Sequence, residues 1–425
     1  MTIEELYAIY IAHPTVETDT RKIKKDSIFF ALKGPNFNGN NYVKEAFAAG
    51  AAYCICDKQT AIEDTRIVYV DDVLKTLQQL AKHHRSQFNI PYIAITGSNG
   101  KTTTKELIHE VLSTTFKCYT TKGNLNNHIG VPLTILSVKK DAEIAVIEMG
   151  ANHQKEIESY CVYAMPTHGL ITNCGKAHLE GFGGEEGIKK GKGELYEYIL
   201  KTNGTIFINN DYEYLQQMGV DIQNKISYGT VDATYVGEAK QGGQFLEVEI
   251  KKGADIKNIK TELAGNYNLP NVMGAVCIGK YFKVADEKIK TALEAYTPTN
   301  SRSQIIKKDS NTILLDAYNA NPSSMKAAIE NFAEMEGENK IVILGGMMEL
   351  GEESIKEHTT LIQMLSNYTW NKVVVTGKDF TALPTSILRF NDATEIAAWF
   401  KEQKFQNACI LIKGSRSMAM EKVLE

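Results

Sequence analysis

The sequence predicts an α/β fold made of three domains, and three observations support this prediction. The chain has 425 residues, a length that allows about three domains, each able to bury its own core. Short β-prone runs alternate with helical segments along most of the chain. At 92–106 a strand, a glycine-containing turn and a helix follow one another. We predict a small α/β domain at 1–88, a central parallel sheet at 89–298 and a C-terminal, Rossmann-like doubly wound sheet at 299–425.

Strands and helices alternate in the first domain. Its predicted strands are 27–32, 52–56 and 67–70, and its predicted helices are 42–49 and 74–88. Thr20 and Arg21 precede the first strand, and the sequence ALKG leaves this strand toward a polar loop. On residue types alone these stretches are typical of solvated turns, so this domain by itself indicates no chemistry.

The turn before Lys101 has the composition of a phosphate-binding loop. It comprises Gly97, Ser98, Asn99 and Gly100, and Thr102 and Thr103 follow in the first helical turn. Glycines let backbone N–H groups approach phosphate, the helix N-terminus favours an anion, lysine neutralises charge, and a threonine hydroxyl can bind magnesium. Ile95 occupies the first glycine position of the longer pattern, so this is the short form T-G-x-x-G-K-T. The alternative is an ordinary glycine turn, but its context predicts a bound nucleoside triphosphate.

Polar residues follow two central strands at the same edge of the predicted sheet. The strand at 144–147 leads to Glu148, a carboxylate that can hold magnesium beside a phosphate loop or simply cap a helix. The strand at 169–172 runs into NCGKAHLEGFGG, which contains His178. A lone histidine is more often structural, but strand ends of open α/β sheets present ligands, which favours a binding role.

Two helical segments complete the central domain. The segment at 186–198 carries lysines at positions 189, 190 and 192, which normally form a solvated face. The helix at 272–281 follows AGNYNLPNV, whose asparagines, Asn268 among them, can either cap the helix or hydrogen-bond the edge of a base.

The third domain repeats the pattern of strands that end in polar residues. It begins with SRSQ, which contains Arg302. The strand at 312–315 is followed by the sequence DAYNANPSSM, which begins at Asp316. Lys413 and Ser415 follow the last strand. The later predicted strands are 340–344, 372–376 and 408–412. Their carboxyl ends are expected to form a ligand-binding edge.

Composition excludes several classes of protein. With 43% hydrophobic and 23% charged residues, the chain has the composition of an ordinary soluble protein. A formal charge of −4 gives no reason to expect nucleic-acid binding. The longest apolar runs are strand-sized, far below the roughly 20 residues that span a bilayer. The start MTIEELYAIYIAHP does not resemble a signal peptide, so we expect a cytoplasmic protein.

Two further expectations concern cysteines and assembly. The seven cysteines are scattered without metal-site spacing and are expected to be small core residues rather than disulfide partners. No coiled coil or extended apolar patch is evident, so a monomer is expected.

These stretches together resemble the Mur ligase family over the whole chain. In the central domain the matching motifs are TGSNGKTTTKE, TKGNLNNHIGVPLT, EMGANHQKEI, NCGKAHLEGFGG, KGKGEL and AGNYNLPNV. The series continues with NSRSQ, DAYNANPSSMKAA, GGMMELGEES and KGSRSMAMEKV. DAYNANPSSMKAA is the most discriminating, because it is similar to the signature of the branch that adds D-alanyl-D-alanine.

The resemblance implies an ATP-dependent ligase that joins D-alanyl-D-alanine to UDP-N-acetylmuramoyl-tripeptide for peptidoglycan synthesis. ATP would phosphorylate the tripeptide carboxylate, and the dipeptide amine would attack the resulting acyl phosphate. The first domain would bind the UDP sugar, with Thr20 and Arg21 as contacts. The third domain would swing over the ATP site and exclude water.

The resemblance also implies two magnesium ions. Thr102 and Glu148 would hold the first, and His178 would hold the second. Lys192, selected by its KGEL context, matches the family lysine that carbon dioxide carbamylates. An ordinary lysine is a cation that repels a metal, whereas its carbamate is an oxygen ligand.

Contacts to the nucleotide and the incoming dipeptide follow from the same resemblance. Lys101 and the loop amides would stabilise charge on the transferred phosphoryl group. Asn268 would lie beside adenine, and Arg302 and Asp316 would reach the nucleotide. The other implied substrate contacts are Asn126, Asn127, Tyr318, Asn319, Asn321, Lys413 and Ser415.

Three other functions remain open at this point. Folylpolyglutamate synthetase shares the ATP loop and the chemistry, but the first domain and the DAYNANP motif favour the branch above. A phosphate-loop protein that switches or pumps would hydrolyse ATP without an acceptor. An inactive paralogue acting as a binding module is disfavoured because Lys101, Glu148, His178 and Lys192 are all present.

Overall fold

The computed structural model describes residues 1–60, 62–240, 243–299 and 301–425. Asn300, the first residue of the NSRSQ motif, lies outside these ranges. The described residues form an α/β structure with three main sheets and one short hairpin. We name the three successive parts of the chain the N-terminal, central and C-terminal units.

The N-terminal unit is a four-stranded parallel sheet with helices on both faces. Its strands are β1 (Val16–Glu17), β2 (Ser27–Phe30), the hairpin pair β3 (Lys33–Gly34) and β4 (Phe37–Asn38), β5 (Ala51–Cys56) and β6 (Ile67–Tyr69). Its helices are α1 (Ile3–Ala12), α2 (Val43–Ala48) and α3 (Val73–Ser86). The sheet order is β1-β2-β5-β6, with α1 and α3 packed on one face and α2 on the other.

The central unit contains nine strands and eight helices among the described residues. Its strands are β7 (Tyr92–Thr96), β8 (Cys118–Thr120), β9 (Ile144–Glu148), β10 (His168–Ile171), β11 (Thr205–Asn209), β12 (Asn224–Gly229), β13 (Tyr235–Ala239), β14 (Glu247–Lys252) and β15 (Asn258–Lys260). Its helices are α4 (Lys101–Ser113), α5 (Gly130–Leu136), α6 (Glu156–Ala164), α7 (Leu179–Phe182), α8 (Glu185–Lys201), α9 (Glu213–Met218), α10 (Leu269–Tyr281) and α11 (Asp286–Ala295).

The central sheet brings the strands of the predicted site together. Its order is β15-β14-β13-β12-β11-β10-β7-β9-β8, so β7 lies between β9 and β10 and runs parallel to both. The strands from β8 to β13 in this order are parallel, whereas β14 runs antiparallel to both of its neighbours.

Helix α10 begins at Leu269, three positions before the predicted start at 272. Pro270 lies in the first helical turn, where a missing N–H group costs nothing. The extra turn brings the AGNYNLPNV motif directly against the phosphate-loop helix α4.

The C-terminal unit is doubly wound, as the sequence predicts. Its strands are β16 (Gln304–Lys308), β17 (Asn311–Asp316), β18 (Asn339–Gly345), β19 (Lys372–Thr376), β20 (Ile387–Phe390) and β21 (Ala408–Lys413), and its helices are α12 (Pro322–Glu334), α13 (Ser354–Leu365) and α14 (Ala393–Gln403). The sheet order is β16-β17-β21-β18-β19-β20, and only the β16–β17 pair is antiparallel. Helices α12 and α13 cover one face, and α14 covers the other.

Buried polar contacts fasten the N-terminal unit to the central unit. Arg85 on α3 is 6% exposed and donates to the carbonyl oxygens of Ala164 and Met165, each at 3.0 Å. His84 Nε2 donates to Val138 O at 2.7 Å. Breaking these bonds would leave buried donors unpaired, so they stabilise the contact between the two units.

Two sequence expectations can be compared with these elements. All seven cysteines are free, and Cys54, Cys56, Cys161 and Cys277 are buried, whereas the other three are only partly buried. Within the described ranges, no helix is both long enough and apolar enough to cross a membrane.

Candidate active site

A cavity of about 850 Å³ lies where the carboxyl ends of the central strands face the C-terminal unit. Loops after β7, β9 and β10 line one side, and the loop after β17 lines the other together with Lys413, the last residue of β21. The predicted site residues that line it are Ser98, Asn99, Gly100, Lys101, Thr102, Thr103, Asn126, Asn127, Glu148, His178, Asn268, Arg302, Asp316, Tyr318, Asn319, Asn321 and Lys413.

The phosphate loop between β7 and α4 is held in place by the loop after β10. Ser98 N donates to Asn173 O at 2.9 Å, and Asn99 N donates to Asn173 Oδ1 at 3.1 Å. Gly97 has a φ of 141°, and a Cβ atom there would lie 2.0 Å from Thr172 Oγ1. Only glycine permits this bend. Because Asn173 uses the first two amides, the first-turn N–H groups of α4 are those available to a phosphate.

Lys101 folds back over the phosphate loop. Its Nζ donates to Gly97 O at 2.6 Å and to Ser98 O at 3.1 Å. Desolvation lowers the pKa of Lys101 to about 8, and the nearby Glu148 carboxylate opposes this effect. A bound phosphate would also favour the charged form, so Lys101 is suited to stabilise negative charge.

Glu148 ends β9 beside the first turn of α4. Its Oε1 accepts from Thr102 Oγ1 at 3.1 Å and from Asn126 Nδ2 at 2.7 Å. The residue is 1% exposed, yet Oε2 has no hydrogen-bond partner among the described residues. A buried carboxylate oxygen without a partner is costly, so this atom fits a cation.

Magnesium fits this set of donors when a nucleotide supplies the remaining oxygens. Within the described residues, no group of three or more His, Cys, Asp or Glu side chains could hold a metal. Magnesium usually takes one or two protein carboxylates together with substrate phosphates and water. The hydroxyl of Thr102 and the carboxylate of Glu148 are a partial set of this kind.

His178 lies at the rim of the cavity, immediately before α7. Its Nδ1 contacts Glu349 Oε2 in the loop after β18. Both residues have left-handed backbones, with φ of 54° and 61°. Bonding to His178 lowers the pKa of Glu349. The contact occupies Nδ1, so Nε2 is the ring nitrogen that can bind a ligand.

Lys192 lies on the inner face of α8 and is 1% exposed. Its Nζ donates to Ala151 O at 3.0 Å. Desolvation, with a further contribution from Lys101, lowers the pKa of Lys192 to about 7. A large fraction of this side chain is therefore neutral amine near neutral pH.

Lys189 and Lys190, the other two of the three lysines noted in the sequence, are on the solvated side of α8, as the charge pattern predicts. Lys190 is exposed, and Lys189 pairs with Glu186 at 2.6 Å. Of the three, only Lys192 is removed from water.

A chain of amides and a hydroxyl joins α10 to α4. Asn268 Nδ2 donates to Ala264 O at 2.8 Å, and its Oδ1 accepts from Asn271 Nδ2 at 2.8 Å. Asn271 Oδ1 accepts from Thr104 Oγ1 at 3.0 Å. Asn268 makes no side-chain capping bond to α10, so the capping alternative does not apply.

In the C-terminal unit, Asp316 and Lys413 are register partners on β17 and β21. Lys413 Nζ donates to Asp316 Oδ2 at 2.6 Å and to Asn319 O at 3.2 Å. Lys413 is 1% exposed, so this pair fixes the loop that begins at Asp316.

Arg302 lies flat on Tyr318, with its Cζ 3.6 Å from the ring centroid. Its Nε is buried and has no hydrogen-bond partner among the described residues. The guanidinium of Arg302, a residue that lines the cavity, therefore keeps one donor without a partner among the described residues.

Five predicted residues do not line the cavity: Gly97, Lys192, Thr20, Arg21 and Ser415. Gly97 permits the bend of the phosphate loop against Thr172. Arg21 is exposed, and its Nε and Nη2 donate to Asp19 Oδ1 and Oδ2 at 2.9 and 2.8 Å. Ser415 is 2% exposed, and its N donates to Gly346 O at 3.2 Å, so it joins two strand ends.

Sequence reasoning gave no role to Asn173 or Glu349, and it gave Asn271 only the cap or base contact that the asparagines of AGNYNLPNV share, although each lies within a motif noted above. Asn173 supports the phosphate loop, Asn271 joins two helices, and Glu349 contacts His178. A polar residue inside a motif was the available signal, but none of these partners is close in sequence.

The fold and the cavity define a phosphate-loop nucleotide-binding protein of three α/β units. Three family models match the chain: "Mur ligase family, catalytic domain" at 15–85, "Mur ligase middle domain" at 95–279 and "Mur ligase, glutamate ligase domain" at 301–416. The chain is 35% identical to the UDP-N-acetylmuramoyl-tripeptide--D-alanyl-D-alanine ligase of Bacillus subtilis, over 96% of this chain and 92% of the relative. The chain belongs to the Mur ligase family, whose members are ATP-dependent ligases.

Solved structures of Mur ligases also resemble this chain over nearly its whole length. MurF from Acinetobacter baumannii superposes with a TM-score of 0.88 at 30% identity, covering 96% of this chain and 92% of that one. MurF from Thermotoga maritima, solved in complex with ADP, has a TM-score of 0.86 at 27% identity and covers 96% of both chains. The predicted α/β fold and family are thus confirmed.

Proposed function

We propose that this chain is the ligase that joins D-alanyl-D-alanine to UDP-N-acetylmuramoyl-tripeptide, using ATP and forming the pentapeptide precursor of peptidoglycan. One observation carries the proposal: a single cavity is lined both by the phosphate loop and by the DAYNANP loop that begins at Asp316. The first loop suits the phosphoryl donor, and the second belongs to the motif that distinguishes this branch. The names of the relatives support the same reaction.

The reaction needs an activated carboxylate, because a carboxylate anion repels nucleophiles and offers no leaving group. The γ-phosphoryl group moves from ATP to a carboxylate oxygen of the tripeptide, and ADP leaves. The amine of the dipeptide then attacks the carbonyl carbon of the acyl phosphate, and inorganic phosphate leaves as the amide forms.

Residues of the central unit stabilise the phosphoryl transfer. Lys101 and the first-turn amides of α4 hold the phosphate oxygens as charge develops on them. Thr102 and Glu148 would hold one magnesium ion, and His178 a second. Bound magnesium supplies positive charge that offsets the charge of the transferred group.

Lys192 is proposed to carry a carbamate. The neutral amine attacks carbon dioxide, a C–N bond forms and one proton is released. The buried position and the pKa of about 7 support this, because only the neutral amine is nucleophilic. The resulting anion would replace a buried cation with an oxygen ligand near the phosphate loop.

The remaining roles follow the division of the chain into 1–88, 89–298 and 299–425. The first part would bind the UDP sugar through Thr20 and Arg21, whose guanidinium is accessible. Asn126 and Asn127 would contact the acceptor, and Asn268 would position the adenine side. Arg302 and Asp316 would reach the nucleotide.

The incoming dipeptide would be held by the C-terminal unit, and the enzyme as a whole is proposed to act as a cytoplasmic monomer. Tyr318, Asn319 and Asn321 would contact the dipeptide, with Lys413 supporting their loop and Ser415 joining the ends of β18 and β21. ATP and a nucleotide sugar are cytoplasmic substrates, which supports that location. A dimer peak in light scattering would contradict the monomer.

The deciding experiment measures phosphate release from MgATP with UDP-N-acetylmuramoyl-tripeptide and D-alanyl-D-alanine, D-alanine or L-glutamate in separate reactions. Release that requires both the tripeptide and the dipeptide, with the pentapeptide mass in the product, is the expected result. Parallel reactions with lysine and diaminopimelate tripeptides identify the preferred third residue. Release without an acceptor would indicate a switch or pump, and turnover with a folate acceptor and L-glutamate would indicate a folylpolyglutamate synthetase.

A further inference from the structure

Among the described residues, one ion pair, Lys176 with Glu357, and one histidine–carboxylate contact, His178 with Glu349, join the central unit to the C-terminal unit. Both start from the loop at 173–178 that follows β10. The same loop supports the phosphate loop through Asn173. It therefore contacts the nucleotide-binding residues and the C-terminal unit at the same time.

Lys176 is fixed at both its backbone and its side chain. Its N–H donates to Ser323 Oγ on α12 at 2.8 Å, and its Nζ lies 2.9 Å from Glu357 Oε1 on α13. Lys176 and Glu357 do not line the cavity, so this contact is separate from the proposed substrate contacts.

The two carboxylates near Lys176 belong to different units. Glu185 of the central unit lies 3.4 Å from Nζ and is 58% exposed, whereas Glu357 is 9% exposed. If the C-terminal unit moved away, the lysine would keep Glu185 as a partner. Opening would therefore not leave Lys176 unpaired, which favours a pair that breaks and re-forms during turnover.

We propose that the Lys176–Glu357 pair positions the C-terminal unit over the cavity, and that Lys176 is a positioning residue for amide formation. The pair holds α13 against the loop whose next residues include His178. This inference rests on the proposed function for its kinetic consequence, but the arrangement of the units can be measured without turnover.

The test uses Glu357→Gln, the single charge reversals Lys176→Glu and Glu357→Lys, and the double reversal Lys176→Glu/Glu357→Lys. The matched control is Lys326→Glu, which breaks an exposed pair with Glu330 that lies wholly within α12. Each protein is examined by small-angle scattering, without ligand and with ADP and magnesium, and by ligation kinetics.

We expect Glu357→Gln to lower kcat about 5-fold and each single reversal about 10-fold or more, as for a partly buried ion pair. The KM for ATP should change less than about 2-fold, because the phosphate loop is untouched. The radius of gyration with ADP should increase in the single variants. The double reversal should recover most of kcat and the wild-type scattering curve, and the control should match wild type in both.

Wild-type kcat and scattering in the single reversals would overturn the proposal. A double reversal no better than the single ones would also overturn it, because the effect would then come from local packing. If wild type shows no ligation with the dipeptide, the proposed function fails, and the scattering comparison still decides whether the pair holds the two units together.

Discussion

Asn321 Nδ2 donates to Asn99 Oδ1 at 2.7 Å, so the DAYNANP loop of the C-terminal unit touches the phosphate loop directly. The same side chain caps α12, because its Oδ1 accepts from Ser324 N at 2.9 Å. One residue therefore performs two separable tasks, one in the fold and one across the cavity.

Asn321→Asp should separate these two tasks. Aspartate keeps the capping oxygen but loses the donor to Asn99, so kcat should fall about 10-fold or more while folding is retained. Asn321→Ala should lose the same activity and also destabilise the protein by about 1 kcal/mol. Thermal denaturation and ligation kinetics measure the two effects. Equal activity of Asn321→Asp and wild type would show that the contact to Asn99 is dispensable.

Glu148→Gln should remove the carboxylate that faces the proposed magnesium site. We expect kcat to fall about 100-fold or more, and the increase in ATP affinity produced by magnesium, measured by calorimetry, to disappear. The free energy of unfolding should change by no more than about 1 kcal/mol, because the lost charge had an unpartnered oxygen. Unchanged magnesium dependence would place the ion elsewhere.

Activity should depend on carbon dioxide if Lys192 is carbamylated. Above a pKa of about 7 the neutral amine predominates, so carbamylation and activity should rise as the pH increases through this value. Protein in ¹³C-bicarbonate should give a carbamate signal that Lys192→Arg lacks. Full activity in buffer freed of carbon dioxide, without that signal, would exclude the modification.

Arg302→Lys tests the stacked guanidinium. Lysine keeps the positive charge but loses the planar contact with Tyr318 and the free Nε donor, so ADP should bind about 10-fold more weakly. Arg416→Lys, at an exposed arginine that pairs with Glu421, is the matched control and should bind ADP normally. Equal affinities in titration calorimetry would remove Arg302 from the nucleotide site.

The phosphate loop and the strand ends could be predicted from sequence because their signals are local. TGSNGKTTT is one continuous stretch that ends β7, forms the phosphate loop and begins α4, and Glu148 directly follows an apolar run. The burial of Lys192 also had a local signal, since Ile188 and Leu195 lie four residues before it and three after it on the same buried face of α8. The three lysines together predicted a solvated face. That prediction holds for Lys189 and Lys190 but is wrong for Lys192.

Contacts between distant parts of the chain could not be predicted in this way. The bond from Asn321 to Asn99 spans 222 positions, and the contact from Glu349 to His178 depends on how two units meet. The burial of Ser415 has the same origin, because Gly346 comes from a different strand. Sequence motifs marked these loops as important but did not indicate which side chains face the cavity.

The buried arginine of α3 has a consequence for the choice of substrate. Arg85 and His84 bond α3 to carbonyl groups of the central unit, so we expect the distance from the proposed sugar-nucleotide site to the phosphate loop to vary little. With the nucleotide end of the acceptor bound at its proposed site, this distance would limit the length of peptide that reaches the phosphate loop. We therefore expect a stem of three residues to present its terminal carboxylate to the γ-phosphate, and shorter or longer stems to be poorer acceptors.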